Sequence, residues 1–499
     1  MGMRSPPPLY ELAKQSLLRN ETIASTDFHN LPIHIFHDLF VDAFMGDHNE
    51  SLKVMVQAWP FPYFPLKSLM NMRSLKTSHF VCGNMPQHSN LRTLKALLDA
   101  LDIQLSQEVR HSRWKLQVLD WRDGHEDFWI GGPRAMNAVH LADAKSKDAS
   151  KPGLSENQPT LRIFTHLCFE PWASSFSVYD QLQLCLLKWA RKRKASVHLY
   201  SEKVTIKSSE VFKILKLLQT VQLDSIQELN ILCDWGQKGM KAFVRLLKKM
   251  KNLRTIHFSR LSAERLTAFV ENKLYSCLHP FHIGDLPSLR ELHLDEVFLH
   301  GTLHEILRSQ TPLEVLSLRS SPLKECDLQH LSQGTSTSQL RSLTLRGISM
   351  KSFNPEILQI LIDKLASTLE TLDLEHCDLT DFQLLVILPA LSHCSQLKSF
   401  SCYGNHFSLG VLQVLLNLSA RLSHLTLGMY PAPLESYESN IPAEFVHPEQ
   451  FAQVCIELEE VLMALRPSLR VKICAYSCDL CMLCQFYRLD PNGYWEITE

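Results

Sequence analysis

Three observations predict an α/β fold, a leucine-rich-repeat solenoid bent into a horseshoe behind a helical amino-terminal cap. At 499 residues the chain exceeds one ordinary globular core, so it is either several domains or one elongated stack. From about residue 250 onward one phrase, Leu-x-x-Leu-x-Leu, keeps returning. Between its copies the apolar residues fall at helical spacing.

The chain is expected in four parts. Residues 1–110 carry prolines at 6, 7, 8, 32, 60, 62 and 65 with short amphipathic helices between them, which predicts the helical cap. Residues 111–225 read as degenerate repeats, with Leu116, Leu119 and Trp121 as a first strand. They are interrupted near 142–160, where ADAKSKDASKPGLSENQPT has no apolar periodicity and predicts a mobile loop. Residues 226–473 hold the regular repeats. An early copy is Ile226, Leu229 and Ile231, and the first leucines of the rest stand at 253, 289, 313, 340, 369, 397 and 422. Their separations of 36, 24, 27, 29, 28 and 25 residues are the repeat period with one longer unit. In each copy the Leu-x-Leu core is a short strand, and a stretch such as PEILQILIDKLASTLETL, with Ile357, Leu358, Leu361 and Leu365 in phase, is the helix behind it. A helix opposite every strand bends the stack and lines its concave side with parallel strands. Residues 474–499 are left as a carboxy-terminal cap.

Composition narrows the function. Hydrophobic residues at 45% and charged residues at 21% are ordinary folded usage. Lys plus Arg number 51 against 52 acids, so no global field draws in nucleic acid or an anionic membrane. The opening MGMRSPPPLYELAKQSLLRN lacks a signal-peptide core, and no eighteen apolar residues run unbroken, which predicts an intracellular protein, cytoplasmic or nuclear. The 14 cysteines are scattered in apolar contexts such as Cys185, Cys233 and Cys394, as reduced core thiols would be. The sequons at Asn20, Asn49 and Asn417 then carry no meaning.

SPPPLYELAKQSLLRNE, then LPIHIFHDLF, then VMVQAWPFPYFPL resemble the amino terminus of the PRAME family, and the resemblance extends over essentially the whole chain. It implies substrate reception for a cullin-RING ubiquitin ligase, and repression of nuclear-receptor transcription that favours proliferation over differentiation. An elongin-binding box needs a small residue or Pro, then Leu, a small residue four further on and an aliphatic four beyond; Pro8, Leu9, Ala13 and Leu17 fit, with Ala13 where Cys is usual. That spacing puts Leu9, Ala13 and Leu17 on one helix face, where Leu9 can enter an apolar groove on elongin C, the partner of elongin B. Leu31, Pro32, Ile35 and Leu39 fit the box that selects the type 2 cullin. Both boxes can also be ordinary capping helices, and LPIHIFHDLF can be read as an F-box for a different adaptor.

The residues between the leucines face the concave side: Glu291, His293, Asp295; Val315, Ser317, Arg319; Ser342, Thr344, Arg346; Thr371, Asp373, Glu375; Ser399, Ser401 and Tyr403. This polar mosaic suits a protein or peptide better than phosphates, with Glu291, His293, Asp295, Arg319, Arg346, Asp373, Glu375 and Tyr403 as its candidate contacts. Other signals are ambiguous. Cys474, Cys478, Cys481 and Cys484 could hold zinc or simply cover the last repeat. Asp120, Asp123, His125, Glu126 and Asp127 could hold a cation or form a solvated loop. Lys188, Arg191, Lys192, Arg193 and Lys194 could be a nuclear-import signal or a helix end. Leu412, Leu415 and Leu416, and Leu94, Leu97 and Leu98, spell the LxxLL of nuclear-receptor ligands but fall where helices need apolar faces. No G-x-S-x-G, P-loop, H-E-x-x-H or dinucleotide fingerprint occurs, and no cofactor is expected. With these residues, the resemblance implies a non-catalytic ligase adaptor; the alternatives are a transcriptional co-repressor that holds a nuclear receptor, and a ribonuclease-inhibitor-like scaffold.

Overall fold

Leucines at every second position cannot be hidden by the strand that carries them, so each strand needs a layer behind it and neighbours beside it. The computed structural model provides both. It describes residues 9–19, 28, 30–77, 85–107, 113–124, 126–132, 160–171, 178–233, 235, 237–259, 281, 283–297, 299, 301–308, 311–437, 446–465, 468–476, 484–490 and 495–498. Two compact units divide the chain, Met1–Ile226 and Gln227–Glu499.

In the first unit, strands β1 (Tyr63–Pro65), β2 (Val118–Trp121), β3 (Leu161–Phe169) and β4 (Val197–Ile206) pair in parallel in that order. Helices α1 (Leu9–Arg19), α2 (Ile33–Met45), α3 (Asn49–Gln57), α4 (Leu66–Thr77), α5 (Met85–Ser106), α6 (Asp127–Ile130), α7 (Val178–Arg191) and α8 (Val211–Leu218) complete it. β1 lies inside the stretch expected to be helical; three residues ending on a proline are too short to show a period. The AWPFPYFPL segment is a core element. Fully buried Trp59 packs its ring 4.8 Å from Phe40 and 4.4 Å from Phe64, and its indole N–H donates to the Tyr63 carbonyl at 3.2 Å. Trp129 of α6 stacks on His37 at 5.5 Å and donates to the Pro65 carbonyl at 2.9 Å. Buried Asp120 accepts from Tyr63 at 2.6 Å and pairs with Arg122 at 2.7 Å, so the first carboxylate of the proposed cation loop is used to fasten β1 to β2. The loop expected near 142–160 lies outside the described residues up to 159.

In the second unit, β5 (Glu228–Ile231), β6 (Thr255–Ser259), β7 (Glu291–Asp295), β8 (Val315–Arg319), β9 (Ser342–Thr344), β10 (Thr371–Asp373), β11 (Ser399–Ser401), β12 (Leu427–Pro431) and β13 (Arg470–Tyr476) are parallel neighbours in sequence order. This is the leucine-rich-repeat arrangement. β14 (Cys484–Leu489) and β15 (Trp495–Thr498) then reverse direction and close the sheet antiparallel. Behind the strands lie α9 (Gln237–Leu247), the single turn α10 (Leu303–Ile306), α11 (Glu325–Gln333), α12 (Pro355–Leu365), α13 (Asp381–Ser392), α14 (Leu409–Arg421) and α15 (Pro448–Met463). A full helix therefore follows β5 and each of β8 to β12, and among the described residues only one turn stands between β7 and β8.

Two regularities in this unit are carried by backbone and polar groups rather than by leucine. Two residues past the second strand leucine or its equivalent, the chain turns through a left-handed residue in five successive repeats: Glu296, Ser320, Gly347, His376 and Gly404, with φ of 52, 46, 68, 54 and 73°. Each of the first four donates its N–H to the corresponding carbonyl of the next repeat, those of Arg319, Arg346, Glu375 and Tyr403. At Gly404 a Cβ would stand 2.3 Å from His376 Nδ1, so that turn also requires the missing side chain. One residue later a side chain can bond backward. Buried Asn405 donates to the carbonyls of Leu374 (2.8 Å) and Cys402 (2.7 Å) and accepts from the N–H groups of Cys377 (3.1 Å) and Leu379 (2.9 Å). Ser321 does the same on a smaller scale, accepting from the Val297 N–H at 3.1 Å and donating to the Leu294 carbonyl at 3.0 Å.

Candidate protein-interaction surfaces

α1 follows prolines and turns two different faces outward and inward. Inward, Leu18 is buried, Lys14 pairs with Asp42 of α2 at 2.6 Å and Tyr10 donates to Asp38 at 3.3 Å. Outward stand Leu9, Ala13 and Leu17, four residues apart, with Leu9 85% exposed and Leu12 exposed beside them. Three described members of the first box thus form one accessible apolar stripe on a helix held from behind; Pro8 lies outside the described residues. The pinning contacts were not legible beforehand, since Lys14 and Asp42 look like ordinary surface charges in sequence.

The second box is divided by the fold. Pro32 is the N-cap of α2, and the Leu31 carbonyl accepts from Arg113 at 2.6 Å. Pro32 is exposed and Leu31 and Ile35 are half-buried, whereas Leu39 is buried and belongs to the core.

In the second unit the strand face opposite the leucines forms a polar ladder. Register places His257, His293, Ser317, Thr344, Asp373 and Ser401 side by side. Glu291, His293 and Asp295 alternate with buried Leu292 and Leu294. His257, which precedes the residues singled out from the sequence, lies 2.8 Å from Asp295, and its ring is 5.8 Å from His293. The looser phrase around Ile256 and Phe258 could have revealed it. Burial, helped by His257, pushes the His293 pKa down, so its neutral form is favoured. Arg319 is exposed at the end of β8.

The far half of the ladder is sunken. Glu375 and Tyr403 are buried, with Arg346 2.7 Å from Glu375 and its guanidinium 5.8 Å above the Tyr403 ring. Ser401 donates to Glu375 at 2.7 Å. Burial and the hydrogen bond to Glu375 push the Tyr403 phenol up. Asp373, in the floor, accepts from the Glu375 N–H at 3.0 Å, and burial raises its carboxyl to about 6. Such a desolvated carboxylate beside small hydroxyls is suited to receiving a donor from outside.

Residues 6–129 match the PRAME N-terminal domain and residues 161–494 the PRAME C-terminal domain. Among human proteins, PRAME family member 12 is 35% identical over 497 residues, covering 99% of this chain and 97% of that protein. PRAME family member 20 is 36% identical over 497 residues, with 99% of each chain covered. The chain belongs to the PRAME family.

The remaining sequence signals can be placed within this PRAME-family fold. Leu94, Leu97 and Leu98, and Leu412, Leu415 and Leu416, are all buried, so both LxxLL segments present their leucines to the core. In the basic run, Arg193 pairs with Asp102 and lies 4.9 Å over the Trp189 ring, while Lys194 donates to the Gln219 carbonyl at 3.1 Å; Lys188, Arg191 and Lys192 remain on the outside. Asp123, Glu126 and Asp127 are exposed, and His125 lies outside the described residues. Cys474 is buried in β13 and Cys484 opens β14, while Cys478 and Cys481 lie outside the described residues. Burial pushes the thiols of Cys377 and Cys394 up to about 12, which keeps them protonated and unreactive. Among the described residues, no helix is long and apolar enough to cross a membrane.

Proposed function

We propose that this chain is the substrate-recognition adaptor of a type 2 cullin-RING ubiquitin ligase. The observation that carries the reading is the exposed stripe of Leu9, Ala13 and Leu17 on a helix whose other face is fixed by Leu18 and Lys14. A held helix with an outward apolar stripe loses little entropy when it enters a groove on elongin C, with elongin B alongside. Leu31, Pro32 and Ile35 would then meet the cullin, and Leu39 would support them from the core. The target protein would lie on the polar ladder of the second unit, with Arg319 and Asp373 as charged contacts. The chain's contribution is proximity, with ubiquitin transferred by the ligase's other subunits in cytoplasm or nucleus. A nuclear-receptor co-repressor would need another contact than the two LxxLL segments, whose leucines are buried.

Co-expression with elongin B and elongin C followed by gel filtration tests this. Co-elution is expected for the unmodified chain and is expected to be lost in Leu9→Ser, with the melting temperature unchanged because Leu9 is 85% exposed. An unmodified chain that elutes without the elongins would refute the adaptor reading.

A further inference from the structure

α13, DFQLLVILPALS, has no basic residue and is apolar on every side, a composition normally found where a helix is covered all round. Here it is covered on one side only. Phe382 is 67% exposed and Leu385 is exposed, and the pattern continues on the helices beside it with Ile360 of α12, Val414 of α14 and Ile456 of α15. These helices pack side by side in sequence order. Ile360, Leu385 and Val414 occupy the fifth or sixth positions of their helices, so they form rungs at a similar level.

The surroundings are acidic although the whole chain is neutral. The four helices contain seven carboxylates and two basic residues, Lys364 and Arg421. Lys364 is turned inward, donating to Gly334, Leu331 and Thr337. Glu356, Glu449, Glu457 and Glu460 are exposed. An acidic rim repels anionic phospholipid headgroups and nucleic acid and complements a cationic protein segment.

We propose that the outer face of α12–α15 docks a basic amphipathic helix of a partner protein. The spacing fits: packed helices lie about 9 Å apart, and residues one heptad apart on a crossing helix are separated by about 10.5 Å. One apolar residue per heptad would therefore meet successive rungs while lysines or arginines reach the glutamates. This surface is independent of the elongin-box reading.

The test uses the full chain and a labelled Leu/Lys amphipathic peptide of about eighteen residues, with a Leu/Glu peptide of the same apolar pattern as control, read by fluorescence anisotropy. The Leu/Lys peptide is expected to bind and the Leu/Glu peptide not. Affinity is expected to fall about tenfold or more in Phe382→Ser/Leu385→Ser, and to fall in Glu457→Gln/Glu460→Gln, a pair that removes only surface charge. Equal binding of both peptides, or undiminished binding by both variants, would overturn the proposal. So would binding to phosphatidylserine vesicles through Phe382, or a self-association in sedimentation that Phe382→Ser abolishes.

Discussion

In the first unit β1 and the helices α2 and α6 are held by partners far along the chain: Tyr63 of β1 reaches Asp120, 57 residues away, Trp129 of α6 reaches Pro65 of β1 across 64, and His37 of α2 reaches Phe128 of α6 across 91. In the second unit Asn405 reaches Leu379, Cys377 and Leu374 across 26 to 31 residues, one repeat back. The first arrangement ties several elements to a few rings, so one loss is felt by all of them. The second distributes stability over neighbouring interfaces, so a loss is felt mainly next door.

The comparison can be broken most forcefully at Trp59. Trp59→Ala removes a ring shared by Phe40, Phe61 and Phe64 and should cost about 4 kcal/mol, cooperatively unfolding the first unit in a denaturant titration. Gradual loss confined to β1 would contradict the shared-ring account. Asn405→Ala leaves two N–H groups and two carbonyls without their partner and should cost about 3 kcal/mol. Hydrogen exchange should accelerate at Leu374–Leu379 and much less near Leu294, because repeats couple to nearest neighbours.

A smaller effect depends on pH. The Asp373 carboxyl titrates near 6 in the folded protein, above the 3.8 expected of an unperturbed Asp, so burying its charged form costs stability. That cost is absent below about pH 4 and grows as pH rises through 6. Asp373→Asn should therefore be more stable than the parent at pH 7.5, by about 1 kcal/mol given its partial exposure, and indistinguishable at pH 4. The reverse order at pH 7.5 would mean that a cation neutralises Asp373. The smallest change is a gain: Ser320→Gly, at a left-handed position with φ 46°, should stabilise the second unit by about 0.5 kcal/mol in thermal unfolding.

The repeat fold was legible because leucines return at a nearly constant period and no other fold needs that. The left-handed turn was not, since the same backbone position is filled by Glu296, Ser320, Gly347, His376 and Gly404, and φ leaves no mark on such a mixture. Asn405 and Ser321 share a repeat position with Val297, Ile348 and Cys377, and only hydrogen bonds reveal the two polar residues as braces. On the candidate surfaces, helical spacing predicted the common face of Leu9, Ala13 and Leu17. Alternation alone could not foresee that Glu375 and Tyr403 would be tucked beneath Arg346, because depth within a face depends on small neighbours such as Ser401, which donates to Glu375.

The reversal of chain direction after β13 has a further consequence. A parallel stack that simply stopped would offer its last strand as a template on which another molecule could add, and then another, as in a growing filament. Among the described residues the outermost strand is the short antiparallel β15, whose Glu496 is clasped by Arg488 of β14. An incoming strand would meet an edge only four residues long and opposite in direction to the stack, so the parallel series offers no long template here.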